Sequence, residues 1–123
     1  MIVHVANFSS QLPGRKVCIA NSVPNGVKMR TLKRVFPTLA QFIIPSWGLV
    51  KGFKDGKITW EVYTRIYLEQ LQNVNLGKAL EKLGTLLEAD QIVLCCWEGK
   101  DDPHCHRKLL YDLIPEDMRG ERE

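Results

Sequence analysis

The densest run of chemically capable side chains lies between Cys96 and Arg107. It holds Cys96, Glu98, Lys100, His104, Cys105, His106 and Arg107 within twelve residues. A thiol beside imidazoles and a guanidinium sits in surroundings that lower its pKa, in documented cases from ~8.5 into the range ~3.5–7.5. Cys105 is therefore the candidate nucleophile, with His106 as its base or ion-pair partner. Glu98, across the loop, is placed to act as acid or base or to orient a histidine. Arg107 offers a planar fork for phosphate or carboxylate, Lys100 adds charge, and Cys96 stands at the edge of the same site. Cys96, His104, Cys105 and His106 also form a set of zinc-type ligands. Their spacing matches no common zinc pattern, and adjacent Cys105 and His106 would point apart on a helix. No residue is assigned to a metal, and no cofactor is identified.

The elements around this run give it a location. Gln91 to Cys96 is continuously apolar, without alternation, and follows a helix; it reads as a strand buried on both faces, as in a parallel sheet. Asp102-Pro103 has the form of an N-cap and first helical position, opening a helix to about Leu113 with Leu109, Leu110 and Leu113 inward. Ligands in open α/β sheets bind outside the carboxyl ends of strands. A helix start there also offers free N–H groups and a positive dipole end to an anion.

Upstream, Thr59 caps a helix to about Leu71, with Trp60, Tyr63, Tyr67 and Leu71 on one side. Asn75 caps the next, where Leu76, Ala79, Leu80, Leu83, Leu86 and Leu87 form an apolar stripe that Asp90 closes. Pro45-Ser46 starts a short helix ended by Gly52 or Asp55-Gly56. Ile2–Ala6 and Lys16–Ala20 read as strands. The turn-rich segment between them is too short for a crossover helix, so they are either an antiparallel pair or separated by another strand. Residues 21–38 read as a long loop with at most one helical turn.

Three further candidates come from these elements. Tyr63 and Tyr67 stand one helical turn apart and can present two hydroxyls to one pocket. Asn7 and Ser9, with Ser10, follow the first strand and share the site's edge only if that strand runs parallel to the last. His4 reads as a sheet residue rather than a ligand. Of Cys95 and Cys96, which face opposite sides of a strand, one belongs to the core.

The chain has 123 residues, with 45% hydrophobic and 25% charged, the range of an ordinary globular domain. One domain over 1–123 is expected, with 115–123 a flexible charged tail. The fold class is α/β, a small three-layer sandwich around a short, mainly parallel sheet, with the site where strand end meets helix start near Cys96–Arg107. Seventeen Lys and Arg against fourteen Asp and Glu give a formal charge of +3, too small an excess to imply nucleic-acid or membrane binding. The basic stretch Lys28, Arg30, Lys33, Arg34 reads as a solvated loop. No stretch approaches the ~18 apolar residues of a membrane helix. The first twenty residues alternate rather than form a leader. Four unevenly clustered cysteines are no disulfide framework, so free thiols in a reducing cytoplasm are expected.

From Cys96 to Arg107 the chain resembles the domain of unknown function 488 family. The hallmark is a hydrophobic strand ending in Cys, a Glu two residues on, a Pro, and Cys-His-Arg opening a helix. Here these are Cys96, Glu98, Pro103 and Cys105-His106-Arg107, followed by Leu109-Leu110. Asn7-Phe8-Ser9, the stretch Leu39 to Ser46, and the Tyr63/Tyr67 pair fall in the same order as in that family. The resemblance spans nearly the whole chain, though only the Cys-His-Arg loop is specific. It departs in a slightly longer loop and in the charged tail Glu116 to Glu123, where family members continue into a further strand. The resemblance implies an α/β fold and a shared site, and no particular activity.

Three functions follow as expectations. The leading one is a small-molecule site for an anionic, phosphate-bearing ligand of nucleotide type, served by thiol or carboxylate chemistry. The second is a non-catalytic module that binds protein or nucleic acid through Lys28–Arg34 and an exposed Trp47/Phe53 region. The third is a zinc site.

Overall fold

The structure, a computed structural model, describes residues 1–98 and 102–123. Five strands form one sheet: β1 (Ile2–Asn7), β2 (Arg15–Cys18), β3 (Arg30–Thr31), β4 (Gln91–Cys96) and β5 (Arg119–Arg122). Their order is β3-β2-β4-β1-β5, and every pairing is parallel. Among the described residues six α-helices accompany them: α1 (Leu32–Val35), α2 (Pro37–Ile43), α3 (Trp47–Lys54), α4 (Trp60–Leu71), α5 (Leu76–Leu86) and α6 (His106–Tyr111).

β4 lies between β1 and β2, so the first two strands are separated by a third and run parallel. Their seven-residue connection holds no helix and returns across the sheet. Phe8 and Leu12 of this connection, with Met29, pack on Ala6, Val93 and Cys95 and so cover one face. Every helix contributes to the larger core on the opposite face, where Val5, Val17, Ile92, Leu94 and Cys96 meet Leu39, Ile43, Tyr67, Leu80, Leu83 and Leu110. The two adjacent cysteines of β4 therefore belong to different faces, as strand alternation requires.

The return ends at Gly14, whose φ is +123°, just before β2. A Cβ there would lie 2.7 Å from the main-chain oxygen of Gln91, which opens β4. Gly14→Ala thus combines an unfavourable backbone region with a backbone clash. We expect it to cost about 2–3 kcal/mol, read as a lower urea midpoint with an unchanged slope.

The caps of α3, α4 and α5 follow the sequence. Ser46, Thr59 and Asn75 each accept from a main-chain N–H three residues on, at 3.1–3.2 Å. Leu86 departs from the expected stripe and is 45% exposed.

Three expectations are corrected. Residues 21–38 are not one loop, because β3, α1 and the start of α2 lie there. Leu32, Leu39, Ala40 and Ile43 are buried at helical spacing, but Pro37 divides the run into two short helices and hides the period. The last helix starts at His106, with Cys105 as N-cap, and ends at Tyr111, leaving Leu113 46% exposed. Asp102 Oδ1 accepts from the His104 N–H (2.8 Å), so this aspartate closes a local turn rather than capping the helix.

The third correction concerns the charged tail. Residues 119–122 form β5, beside β1. An edge strand needs only one partner and can carry charge outward. Here it is locked by His4, whose Nδ1 accepts from the Glu121 N–H (2.8 Å) while Nε2 contacts Gln91 Oε1 (2.9 Å). A side chain at Gly120 would collide with the His4 ring, at 2.4 Å.

Candidate functional site

The carboxyl end of β4 delivers Cys96 to the helical face of the sheet, and the segment before α6 brings Cys105 back against it. The two Sγ atoms stand 2.7 Å apart, both as free cysteines, and both are buried. Arg107 lies beneath them, fully buried. Its Nη1 donates to Cys96 Sγ (3.3 Å), Cys105 Sγ (3.2 Å) and the main-chain oxygen of Glu98 (2.9 Å). Its Nε donates to the main-chain oxygen of Glu123, just beyond β5 (2.7 Å). One guanidinium thus ties the β4 loop, the Cys105 segment and the C-terminal strand together.

The Cys105 thiol donates to Glu98 Oε2 (3.2 Å). Burial, and then the neighbouring Cys96 sulfur, push the Cys105 thiol well up, against an opposing effect of His106. This overrides the acidifying setting that the local sequence suggests. Cys105 is therefore a protonated thiol at neutral pH, hydrogen-bonded to a carboxylate. Arg107 is raised as well: burial alone would lower it, and the two sulfurs more than compensate. Lys54 Nζ is 4.0 Å from Glu98 Oε1 and stands at the solvent side of the group.

Glu98 also lines a cavity of about 400 Å³. Its walls are aromatic: Trp47, Phe53, Trp60, Tyr63 and Trp97, with His104 and His106. Trp60 stacks on Tyr63 with ring centres 4.7 Å apart at 18°, and His104 closes on Trp60 at 4.9 Å. Trp97 is held by an Nε1–H bond to the Ser22 carbonyl (2.8 Å) and an edge contact with Phe8. Trp47 and Trp97 remain 65% and 49% exposed, so two indoles flank the opening.

The residues singled out in the sequence are distributed as follows. Cys96, Glu98, Cys105, His106, Arg107 and Tyr63 come together. Tyr63 lines the cavity, and its phenol is pushed well up by burial and then by Cys105, Glu98 and Cys96. Tyr67 lies one turn deeper, donating to the Ile43 carbonyl (2.6 Å), with its ring edge-on to His106. His106 Nε2 is 2.8 Å from the Ile19 carbonyl oxygen. Asn7 sits level with Cys96 on the parallel neighbour β1, but its Oδ1 accepts from the Ser9 N–H and hydroxyl. Neither Asn7 nor Ser9 lines the cavity. Ser10 caps the following turn by accepting from the Leu12 N–H. Lys100 lies outside the described residues.

Trp47 and Phe53, read from the sequence as part of a separate surface, form walls of this same cavity. The aromatic concentration was the signal available: all three tryptophans of the chain converge here.

The family model for the active DUF488-N3 subclade matches residues 1–118. The chain belongs to the domain of unknown function 488 family. No curated protein and no solved structure matched it. The match includes the whole Cys-His-Arg loop and the cavity-lining helices α3, α4 and α6. No helix among the described residues is long and apolar enough to cross a membrane.

Proposed function

We propose that this member of the domain of unknown function 488 family binds an aromatic small molecule of nucleotide type in the indole-lined cavity, with Glu98 as the residue that reaches it. The observation that carries this reading is a carboxylate in the wall of an aromatic cavity, hydrogen-bonded from behind by a thiol. Planar heteroaromatic rings stack on indole and phenol faces, and a half-buried carboxylate recognises ring N–H donors or exchanges protons with them. Cys105 donates its thiol hydrogen to Glu98 Oε2 and so orients the carboxylate toward the cavity. Arg107 is a positioning residue, holding the two sulfurs and the Glu98 main chain in place through its Nη1 donors. Lys54, at the opening, is the cation available to a phosphate on the ligand.

The zinc reading has the cluster Cys96, Cys105 and His106 in its favour, with ligand atoms within 4.8 Å of one another. Against it, the Arg107 guanidinium already donates to both sulfurs, and a dication there would have to displace it.

The test is a thermal-shift and calorimetry panel of nucleobases, nucleosides and nucleotides on the intact protein. At least one compound is expected to bind, and Trp97→Ala should weaken it about tenfold or more, since one stacked base is worth about 1–3 kcal/mol. Glu98→Gln should weaken it too, without lowering the melting temperature of the free protein by more than a few degrees. A panel without binders, or a binder indifferent to both substitutions, overturns the reading.

A further inference from the structure

The chain divides sharply by charge. Its first 54 residues carry eight Lys and Arg and no Asp or Glu, so all fourteen acids lie beyond them. This asymmetry persists in the fold. Lys28, Arg30, Lys33 and Arg34 are exposed at the β3 edge of the sheet and on α1. No carboxylate of the described residues forms an ion pair with any of them. A clustered, uncompensated set of cations raises the local concentration of polyanions.

The basic strip is continuous with the aromatic cavity. Asn21 lines the cavity and also a shallow groove that contains Lys33. Lys33 Nζ donates to Asn21 Oδ1 at 3.1 Å, which fixes the two residues together. Arg34, next along α1, belongs to a second groove with Lys28, Met29, Arg30, Thr31 and Val35. A path therefore leads from two half-open indoles, past Asn21 and Lys33, to Arg34, Arg30 and Lys28.

From this juxtaposition we infer that the ligand is one nucleotide of a single-stranded polynucleotide, its base held in the Trp47/Trp97 cavity and its neighbouring phosphates on the Lys28–Arg34 strip. The inference rests on the proposed function and names its substrate class. Single strands are held in this manner, by aromatic side chains that stack bases beside a basic groove that follows the backbone. A free nucleotide would use Lys54 and leave the strip idle. An acidic protein segment would use the strip and leave the indoles idle. A duplex keeps its bases stacked inside and offers none to the cavity.

The experiment measures fluorescence anisotropy of labelled twelve-residue single-stranded DNA and RNA, alongside calorimetry of the nucleotide found in the panel above. Each oligomer is titrated into wild type, Arg30→Glu/Arg34→Glu and Trp97→Ala. Both surface arginines are exposed, and unchanged circular dichroism and melting temperature establish that the double variant folds. With four phosphates neutralised, oligomer affinity should fall about 50-fold between 50 and 200 mM salt. The double arginine variant should lose about tenfold or more and roughly half of the salt slope, with mononucleotide affinity unchanged. Trp97→Ala should weaken both probes. Oligomers that bind no tighter than the mononucleotide, or as well to the arginine variant, overturn the inference and leave the cavity reading intact. Oligomer binding indifferent to Trp97→Ala overturns it as well. If neither probe binds, both readings fall.

Discussion

Arg107→Ala is expected to destabilise the protein by about 3–5 kcal/mol, since each buried acceptor left without a donor costs about 1–3 kcal/mol and the vacated space adds to it. The side chain is wholly buried and serves four acceptors from three separate segments. Its loss leaves the main-chain oxygens of Glu98 and Glu123, and the two sulfurs, without this donor. The melting temperature should fall on the order of 15 °C. Arg107→Lys keeps the charge but not the fork, so it should recover only part of that loss. A surface arginine replaced by alanine typically changes stability by less than about 0.5 kcal/mol. A shift that small for Arg107→Ala, in urea unfolding at neutral pH, would contradict the burial described above. β5 should also loosen, because Glu123 is one of the acceptors; faster amide exchange at Glu121 and Glu123 would report it.

The second large effect is alkaline. Cys95 lies in the smaller core with no exposed surface, and burial pushes its thiol up to about 12, with Lys16 opposing. Cys105, Cys18, Tyr63 and Tyr67 are raised in the same direction, each chiefly by burial. In the unfolded chain a thiol ionises near 9.0. Below that pH both states hold the proton, and the stability associated with the buried thiol is fully present. As the pH rises from about 9 towards 12 the unfolded state releases the proton while the folded state retains it, so unfolding becomes steadily easier. The slope for Cys95 alone is about 1.4 kcal/mol per pH unit. Urea midpoints should be flat from pH 7 to 8.5 and fall steeply by pH 10–11. Cys95→Ala should shallow that fall, whatever it costs at neutral pH. A wild-type midpoint constant to pH 11 would refute the assignment.

The features that were legible in the sequence are those governed by short-range rules. Thr59 and Asn75 mark their helices because a side-chain oxygen three residues ahead of an N–H is a local geometry. The unbroken apolar run Gln91–Cys96 shows a central strand because both of its faces are covered. The parallel sheet and the convergence of Cys96, Glu98 and Cys105 follow from the same rules. What stayed hidden depends on distant partners. Arg119–Arg122 is too charged to read as a strand, and it becomes one because β1 and His4 meet it there. The path of Arg107 inward is equally unreadable, since its type favours solvent and its buried acceptors come from three separate segments of the chain. Trp47 and Trp97 are fifty positions apart, and no local pattern says that they border one opening. Asp102-Pro103 misleads for the opposite reason: an aspartate that can cap a helix can equally cap a turn.

The strand order has a consequence for how the chain is made. β1 leaves the ribosome first, yet its hydrogen-bonding partners are β4, whose Gln91 pairs with Ile2, and β5. At synthesis rates of about 5–20 residues per second, β1 waits on the order of ten seconds for either neighbour. During that interval Val3, Val5 and Ala6 have no sheet to join, and the early helices have no floor to pack on. Nascent chains arrested before residue 90 should therefore be protease-sensitive throughout, with protection arriving in one late step, when β4 slides between the two strands that preceded it.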